Sequence, residues 1–157
     1  MDIKLILHGK TDENYLQEGL LKYYKRLKRY ISFSELTIPA LKNTKNISFE
    51  EIKQKEGDLL LAKLKPTDTL VLLDDKGEMF TSLGFSEFLQ KQMNLSIRNL
   101  VFVVGGAYGF SDPVYQRANY KLSLSKMTFS HQMIRLLFVE QVYRAFTILN
   151  NEPYHHE

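Results

Sequence analysis

Two short segments, Thr69-Leu70-Val71-Leu72-Leu73 and Leu100-Val101-Phe102-Val103-Val104, are apolar at nearly every position. A strand with one wet face would alternate. A continuous run demands burial on both faces, as in a parallel sheet covered by helices on each side. A helical pattern between the two runs, Ser86 to Met93, supplies the crossover that parallel strands require. The same alternation extends along the chain. Ile3 to Leu7 reads as a first strand, Asp12 to Tyr30 as a helix, and Glu35 to Ile38 as a second strand closed by Pro39. A polar loop, Lys42 to Asn46, precedes a helix capped by Ser48, with Glu51 three residues on as in a capping box, ending near Lys65-Pro66. Asp74-Asp75-Lys76-Gly77 reads as a turn, Pro113 as the first position of a short helix, and Leu122 with Leu124 as a short fifth strand. Ser130 is expected to cap a long last helix from His131 to about Asn150. The fold class is α/β, a mostly parallel sheet with flanking helices.

At 157 residues the chain is expected to form a single domain over 1–157. It has no cysteine, which excludes disulfides and thiolate metal sites. Its four histidines, His8, His131, His155 and His156, lack the spacing of a helical zinc motif, so no metal is expected. No apolar stretch is long enough to span a bilayer and no leader is evident, so a cytoplasmic protein without membrane association is expected.

The last helix carries Met133, Ile134, Leu136, Leu137, Phe138, Val139, Val142, Phe146, Ile148 and Leu149. At 100° per residue these surround the axis, so the helix must be buried on several sides. One side is expected to be a subunit interface, the alternative being that it threads the monomer's own core.

The net charge of +3 is uneven: residues 1–65 hold 13 Lys and Arg against 9 Asp and Glu, a balance of +4, and the remainder totals −1. Lys22, Lys25, Arg26, Lys28 and Arg29 lie among Tyr23, Tyr24 and Tyr30. Two readings stand: cations and rings that hold RNA, or an amphipathic helix with tyrosines inward and a solvated basic face.

Ligands of open parallel sheets bind beyond the carboxyl ends of the strands. Three segments end there: Leu73-Asp74, Gly105-Gly106, and Ser125 to Ser130. Gly-Gly-Ala-Tyr-Gly serves either as a ligand cradle or as a plain strand-to-helix turn. Dinucleotide and phosphate-loop fingerprints are absent. Adjacent Asp74 and Asp75 point opposite ways on an extended chain and are not a catalytic dyad. His131 and Arg135 share a helical face. Glu140 and Arg144 share another, as a structural ion pair or with Arg144 turned to a substrate phosphate. The polar tail from Asn151 to Glu157 is expected to fray, although Tyr154 and His155 suit a nucleobase.

Leu73-Asp74, Val104 to Gly109, Leu122 to Ser125, Thr128, His131, Arg135, Glu140 to Ala145 and the ending Pro153-Tyr154-His155 occur in one order, together with Gly9-Lys10, Tyr24, Arg26 and Tyr30. In these residues, and over essentially its whole length, the chain resembles the RlmH family, SPOUT-class methyltransferases of large-subunit ribosomal RNA. The resemblance implies an α/β sheet whose C-terminal part is threaded as a trefoil knot, and a homodimer. It implies S-adenosylmethionine held by Leu73, Gly106, Ser125, Lys126, Met127, Thr128, Phe129 and Ser130. The implied reaction methylates N3 of a pseudouridine in the intersubunit hairpin of large-subunit rRNA, on the assembled ribosome and without a metal. His155, Tyr154 and Arg144 are the implied catalytic and RNA-contacting residues, with Arg144 and Tyr154 offered to the partner subunit's cofactor. His156 stands where many relatives carry Arg or Lys. A SPOUT methyltransferase aimed at tRNA and a nonenzymatic RNA-binding module are the alternatives. The Tyr154-His155 ending argues against the first and the glycine cradle against the second.

Overall fold

The computed structural model describes residues 1–156. In chain order it contains β1 (Asp2–His8), α1 (Asn14–Leu27), β2 (Ser32–Ile38), a 3-10 turn (Thr44–Asn46), α2 (Phe49–Leu61), β3 (Thr69–Met79), α3 (Ser82–Asn94), β4 (Asn99–Val104), α4 (Asp112–Arg117), β5 (Tyr120–Ser123) and α5 (Met133–Leu149). The five strands form one sheet in the order β2-β1-β4-β3-β5, and every pairing is parallel.

The apolar runs divide between two helical layers at period two. Ile3, Leu5, Leu7, Val71, Leu100, Phe102 and Val104 pack beneath α1, α3 and α5. Ile6, Leu70, Leu72, Val101 and Val103 face the opposite layer, with Leu60 of α2 and Val114 of α4. Both steps toward β2 in the strand order, β1 to β2 and β3 to β4, use helices of the first layer. Both steps toward β5 use the second. All four crossovers therefore share one hand, as parallel connections require.

Several boundaries differ from the sequence reading. The turn at Asp74–Gly77 does not end its strand. Leu122 pairs with Leu73 and again with Glu78, so residues 74–77 bulge out of the ladder and β3 then resumes beside β5. Gly77 permits this: a Cβ there would lie 2.6 Å from the backbone N of Leu122. Helix α3 starts at Ser82, because the Thr81 hydroxyl accepts the Gly84 N–H at 3.0 Å and caps it one turn before Ser86. Ser111 precedes α4, which places Pro113 second rather than first. Leu124 lies beyond β5. Ser130 does accept the Met133 N–H, at 3.0 Å, so its hydroxyl caps α5 although the helix proper begins at Met133. The capping hydroxyl of Ser48 accepts the Glu51 N–H at 3.2 Å.

Helix α5 is covered on most sides by its own chain. It packs on α1 and α3, and Phe138, Val139, Val142, Ala145 and Phe146 enter the first-layer core. Leu137 remains exposed. The all-round apolar pattern thus serves first to thread the monomer's core. Among the described residues no helix is long and apolar enough to cross a membrane, and no three His, Asp or Glu side chains gather as a metal site.

Candidate active site

The bulged middle of β3 and the carboxyl ends of β4 and β5 surround a cavity of about 710 Å³. Its wall comprises Leu73 to Lys76 from the bulge of β3, Val104 to Phe110 after β4, and Leu122 to Ser125 with Met127 to His131 after β5. Lys53, Asp112, Tyr115 and Ile134 complete it. That volume is in the range of a cofactor or small-molecule site. Of the residues expected to hold a cofactor, Leu73, Gly106, Ser125, Met127, Thr128, Phe129 and Ser130 line the cavity. Lys126 does not; it is exposed.

Backbone hydrogen bonds to hydroxyls shape this wall. Ser123 Oγ donates to the Ser125 carbonyl at 3.0 Å, and Ser125 Oγ accepts the Met127 N–H at 2.9 Å. The side chains beyond are open to solvent, Met127 by 78% and Phe129 by 40%. Asp74 accepts the Lys76 N–H at 2.8 Å and the hydroxyl of Tyr115. Burial, and then the Asp74 carboxylate, push the Tyr115 hydroxyl well above its ordinary pKa, so it stays a donor. The aspartate assigned to a turn thus also fixes a wall residue.

The neighbour of Gly106 is a side chain that the sequence does not reveal. A Cβ there would sit 2.6 Å from Glu56 Oε2 on α2, so a substitution would first displace that carboxylate rather than fill the cavity. Burial raises the pKa of Glu56. Lys53, which lines the cavity, and Glu56, which stands beside Gly106, come from a helix remote in sequence, and no local motif announces them.

The segment closing the cavity is fastened by Arg135, which is completely buried. Its guanidinium donates to the carbonyls of His131 (3.1 Å), Gly9 (2.9 Å) and His8 (2.8 Å), and to Thr11 Oγ1 (3.0 Å). Gln132 adds two bonds to the same loop, donating to the Lys10 carbonyl at 3.2 Å and accepting the Asp12 N–H at 2.9 Å. Burial, followed by the charge of Arg135, lowers His8 to about 4, so its ring is neutral.

Arg144, Tyr154 and His155 form a separate cluster at the far end of α5. Ten residues of helix, about 15 Å at 1.5 Å per residue, separate Arg144 from Ile134 in the cavity wall. The tail, expected to fray, is bonded to α1 and α5 through Glu152, Tyr154 and His155. Arg144 Nη2 bonds Glu140 Oε1 at 2.6 Å, and Nη1 donates to His155 Nδ1 at 3.2 Å. The Tyr154 hydroxyl donates to Glu140 at 2.9 Å and lies 3.3 Å from that of Tyr23. Tyr30 donates to Glu152 at 2.7 Å. The Arg144 guanidinium lies 4.7 Å from the centroid of the Tyr154 ring. The Glu140–Arg144 pair is therefore both a structural ion pair and the mount of the tail.

The whole chain has close counterparts. Residues 1–155 match the family described as "Predicted SPOUT methyltransferase". The protein named ribosomal RNA large subunit methyltransferase H in Parabacteroides distasonis is 59% identical, covering 100% of both chains. Its namesakes in Flavobacterium johnsoniae and Bacteroides thetaiotaomicron are 58% and 53% identical, again over 100% of both. With a parallel sheet whose C-terminal loops close a cavity, and kinship running end to end, this chain belongs to the RlmH family of SPOUT methyltransferases.

Proposed function

We propose that this methyltransferase transfers a methyl group from S-adenosylmethionine to N3 of a pseudouridine in the intersubunit hairpin of large-subunit rRNA, on the assembled ribosome in the cytoplasm. The observation that carries the reading is the cavity, which gathers three sequence-remote loops at one sheet edge and lies in a chain whose relatives are named for large-subunit rRNA. S-adenosylmethionine fits its chemistry. The cavity offers backbone at Gly106 and at 125–130, apolar surface at Leu73, Phe129 and Ile134, and carboxylates of Asp74, Asp75 and Asp112 for a cationic ligand. When bound, the cofactor supplies an electrophilic methyl on a sulfonium.

What remains for the chain is to orient the base and manage the N3 proton. We assign those tasks to the tail. Arg144 donates to His155 Nδ1 and thereby fixes the ring. Its charge is held by the hydrogen bond to Glu140, which raises its pKa. Burial, then bonding with Tyr23 and Glu140, raises the Tyr154 pKa, so its hydroxyl meets RNA as a neutral group. A chain's own tail lies away from its cavity, which supports a homodimer in which each tail serves the partner's cofactor. Exposed Phe129 and Leu137, which line a second, smaller cavity, provide apolar surface for that contact. The C-terminal trefoil knot belongs to the same reading: the loops after β4 and β5 enclose one cavity, and α5 then returns across the sheet.

Isothermal titration with S-adenosylmethionine should give saturable one-to-one binding. Mass analysis of rRNA from a deletion strain should show the loss of one methyl group from a pseudouridine. A chain that binds no cofactor, or a deletion that leaves rRNA methylation intact, overturns the reading.

A further inference from the structure

The basic residues of α1 and the turn after it have no role in the cavity. Between Glu18 and Glu35 the chain has five cations and no acid. The structure separates the two sequence readings of this segment. Tyr23, Tyr24 and Tyr30 are half-buried and pack against the first-layer core, so they are not free to stack on bases. Lys22, Lys25, Lys28 and Arg29 are exposed. None of the four forms a salt bridge among the described residues, where the ion pairs are Lys53–Glu50 and Arg144–Glu140. Within the helix, Lys22, Lys25 and Arg26 share one face by their spacing of three and four. Cations in a last turn favour the helix dipole, but Lys22 lies before that turn.

This stripe is continuous with the tail cluster. The Arg26 guanidinium lies 5.4 Å from the ring centroids of both Tyr23 and Tyr143. Tyr143 packs edge-on against Tyr154 at 4.8 Å, and Tyr154 lies under Arg144. One cationic path therefore runs from Lys22 through Arg26 to Arg144.

We propose that the stripe formed by Lys22, Lys25, Lys28 and Arg29 is a phosphate-binding rail that grips the RNA backbone beside the target nucleotide and leads it onto the tail. This rests on the assignment of RNA as substrate. Phosphate contacts fix register while carrying no sequence information, which suits a surface of exposed cations whose neighbours Tyr23, Tyr24 and Tyr30 pack inward.

The test replaces all four by glutamine and leaves Arg26, which packs on two rings, in place. Binding of a fluorescently labelled rRNA hairpin is measured against salt, alongside S-adenosylmethionine affinity and thermal melting. The rail predicts at least about tenfold weaker RNA binding at low salt, with the slope of log affinity against log salt shallower by about 3. Cofactor affinity and melting should be unchanged. An unchanged slope overturns the rail. If the fourfold variant does not fold, Lys22→Gln and Lys25→Gln singly should each lower the slope by about 1, and unaltered slopes again overturn it. The functional reading fails separately: a wild type that methylates no ribosome, yet binds RNA with this slope difference, removes the activity and keeps the rail.

Discussion

At its N-terminal end α5 leaves a segment that is exposed in its side chains and held through its backbone. At its C-terminal end it meets a tail held almost entirely through side chains. Ser123, Ser125, Ser130 and Arg135 fix the main chain around the cavity and leave Met127 and Phe129 in solvent. Glu140, Arg144, Tyr23 and Tyr30 instead engage Glu152, Tyr154 and His155 across more than a hundred residues of sequence in the case of the two tyrosines. A backbone-built wall tolerates side-chain variety and accommodates a ligand by its shape. A side-chain network specifies a single arrangement, because each partly satisfied member is costly.

The largest effect should come from removing one end while sparing the other. A chain ended after Asn151 should bind S-adenosylmethionine within about twofold of the full chain, and methyl transfer to ribosomes should fall on the order of 100-fold or more. Lost partners for Tyr30, Glu140 and Arg144 should cost about 2 kcal/mol of stability. Titration calorimetry, a methyl-transfer assay and denaturant melts on one preparation measure the three. Cofactor affinity falling in step with activity would show that the two ends are not independent.

Arg135→Met strikes the other end. It leaves the carbonyls of His8, Gly9 and His131 and the Thr11 hydroxyl without their donor. Unfolding free energy should drop by about 3–5 kcal/mol, and cofactor affinity should weaken because Ser130 and His131 belong to the released segment. Tail contacts, reported by near-ultraviolet signals of Tyr154 and its neighbours, should survive in the folded fraction. Wild-type stability in urea would show that the staple is dispensable.

A smaller effect separates the ends by pH. The folded pKa of His8, about 4, lies below its ordinary value of 6.5. The unfolded chain therefore binds more protons between those values, and stability rises with pH across that window. The contribution is complete above about pH 6.5 and lost as pH falls toward 4. Between pH 7 and 4.5 the wild type should lose about 1–2 kcal/mol more than His8→Gln. Parallel pH profiles for the two proteins would refute this.

Much of the fold is legible because it rests on local pattern. The runs at 69–73 and 100–104 demand two covered faces, and the structure covers both. The cavity residues follow from the rule for parallel sheet edges together with the resemblance. What escapes is long-range. Arginine is ordinarily solvated, so nothing in the sequence marks Arg135 as the largest fully buried side chain. Asp74–Gly77 has turn composition and does leave the ladder, but only the register with β5 reveals that the strand resumes. The tail is polar and terminal, and its partners lie on α1 and α5. The helical pattern of α5 signals burial on several sides without saying whose surface covers it.

The position of β4 has a consequence for how this molecule comes into being. Strands β1 and β2 pair with each other, and β3 pairs with β4 and β5, so only β4 joins the two halves of the sheet. It begins at Asn99, after nearly two thirds of the chain. During synthesis the β1–β2 pair and β3 must wait unjoined with apolar flanks exposed, the interval in which nascent chains aggregate or recruit chaperones. Parallel pairings between distant segments are slow to form. Joining of the sheet therefore waits on β4, and lesions in β4 should act on the yield of folded protein more than on the properties of the molecules that succeed.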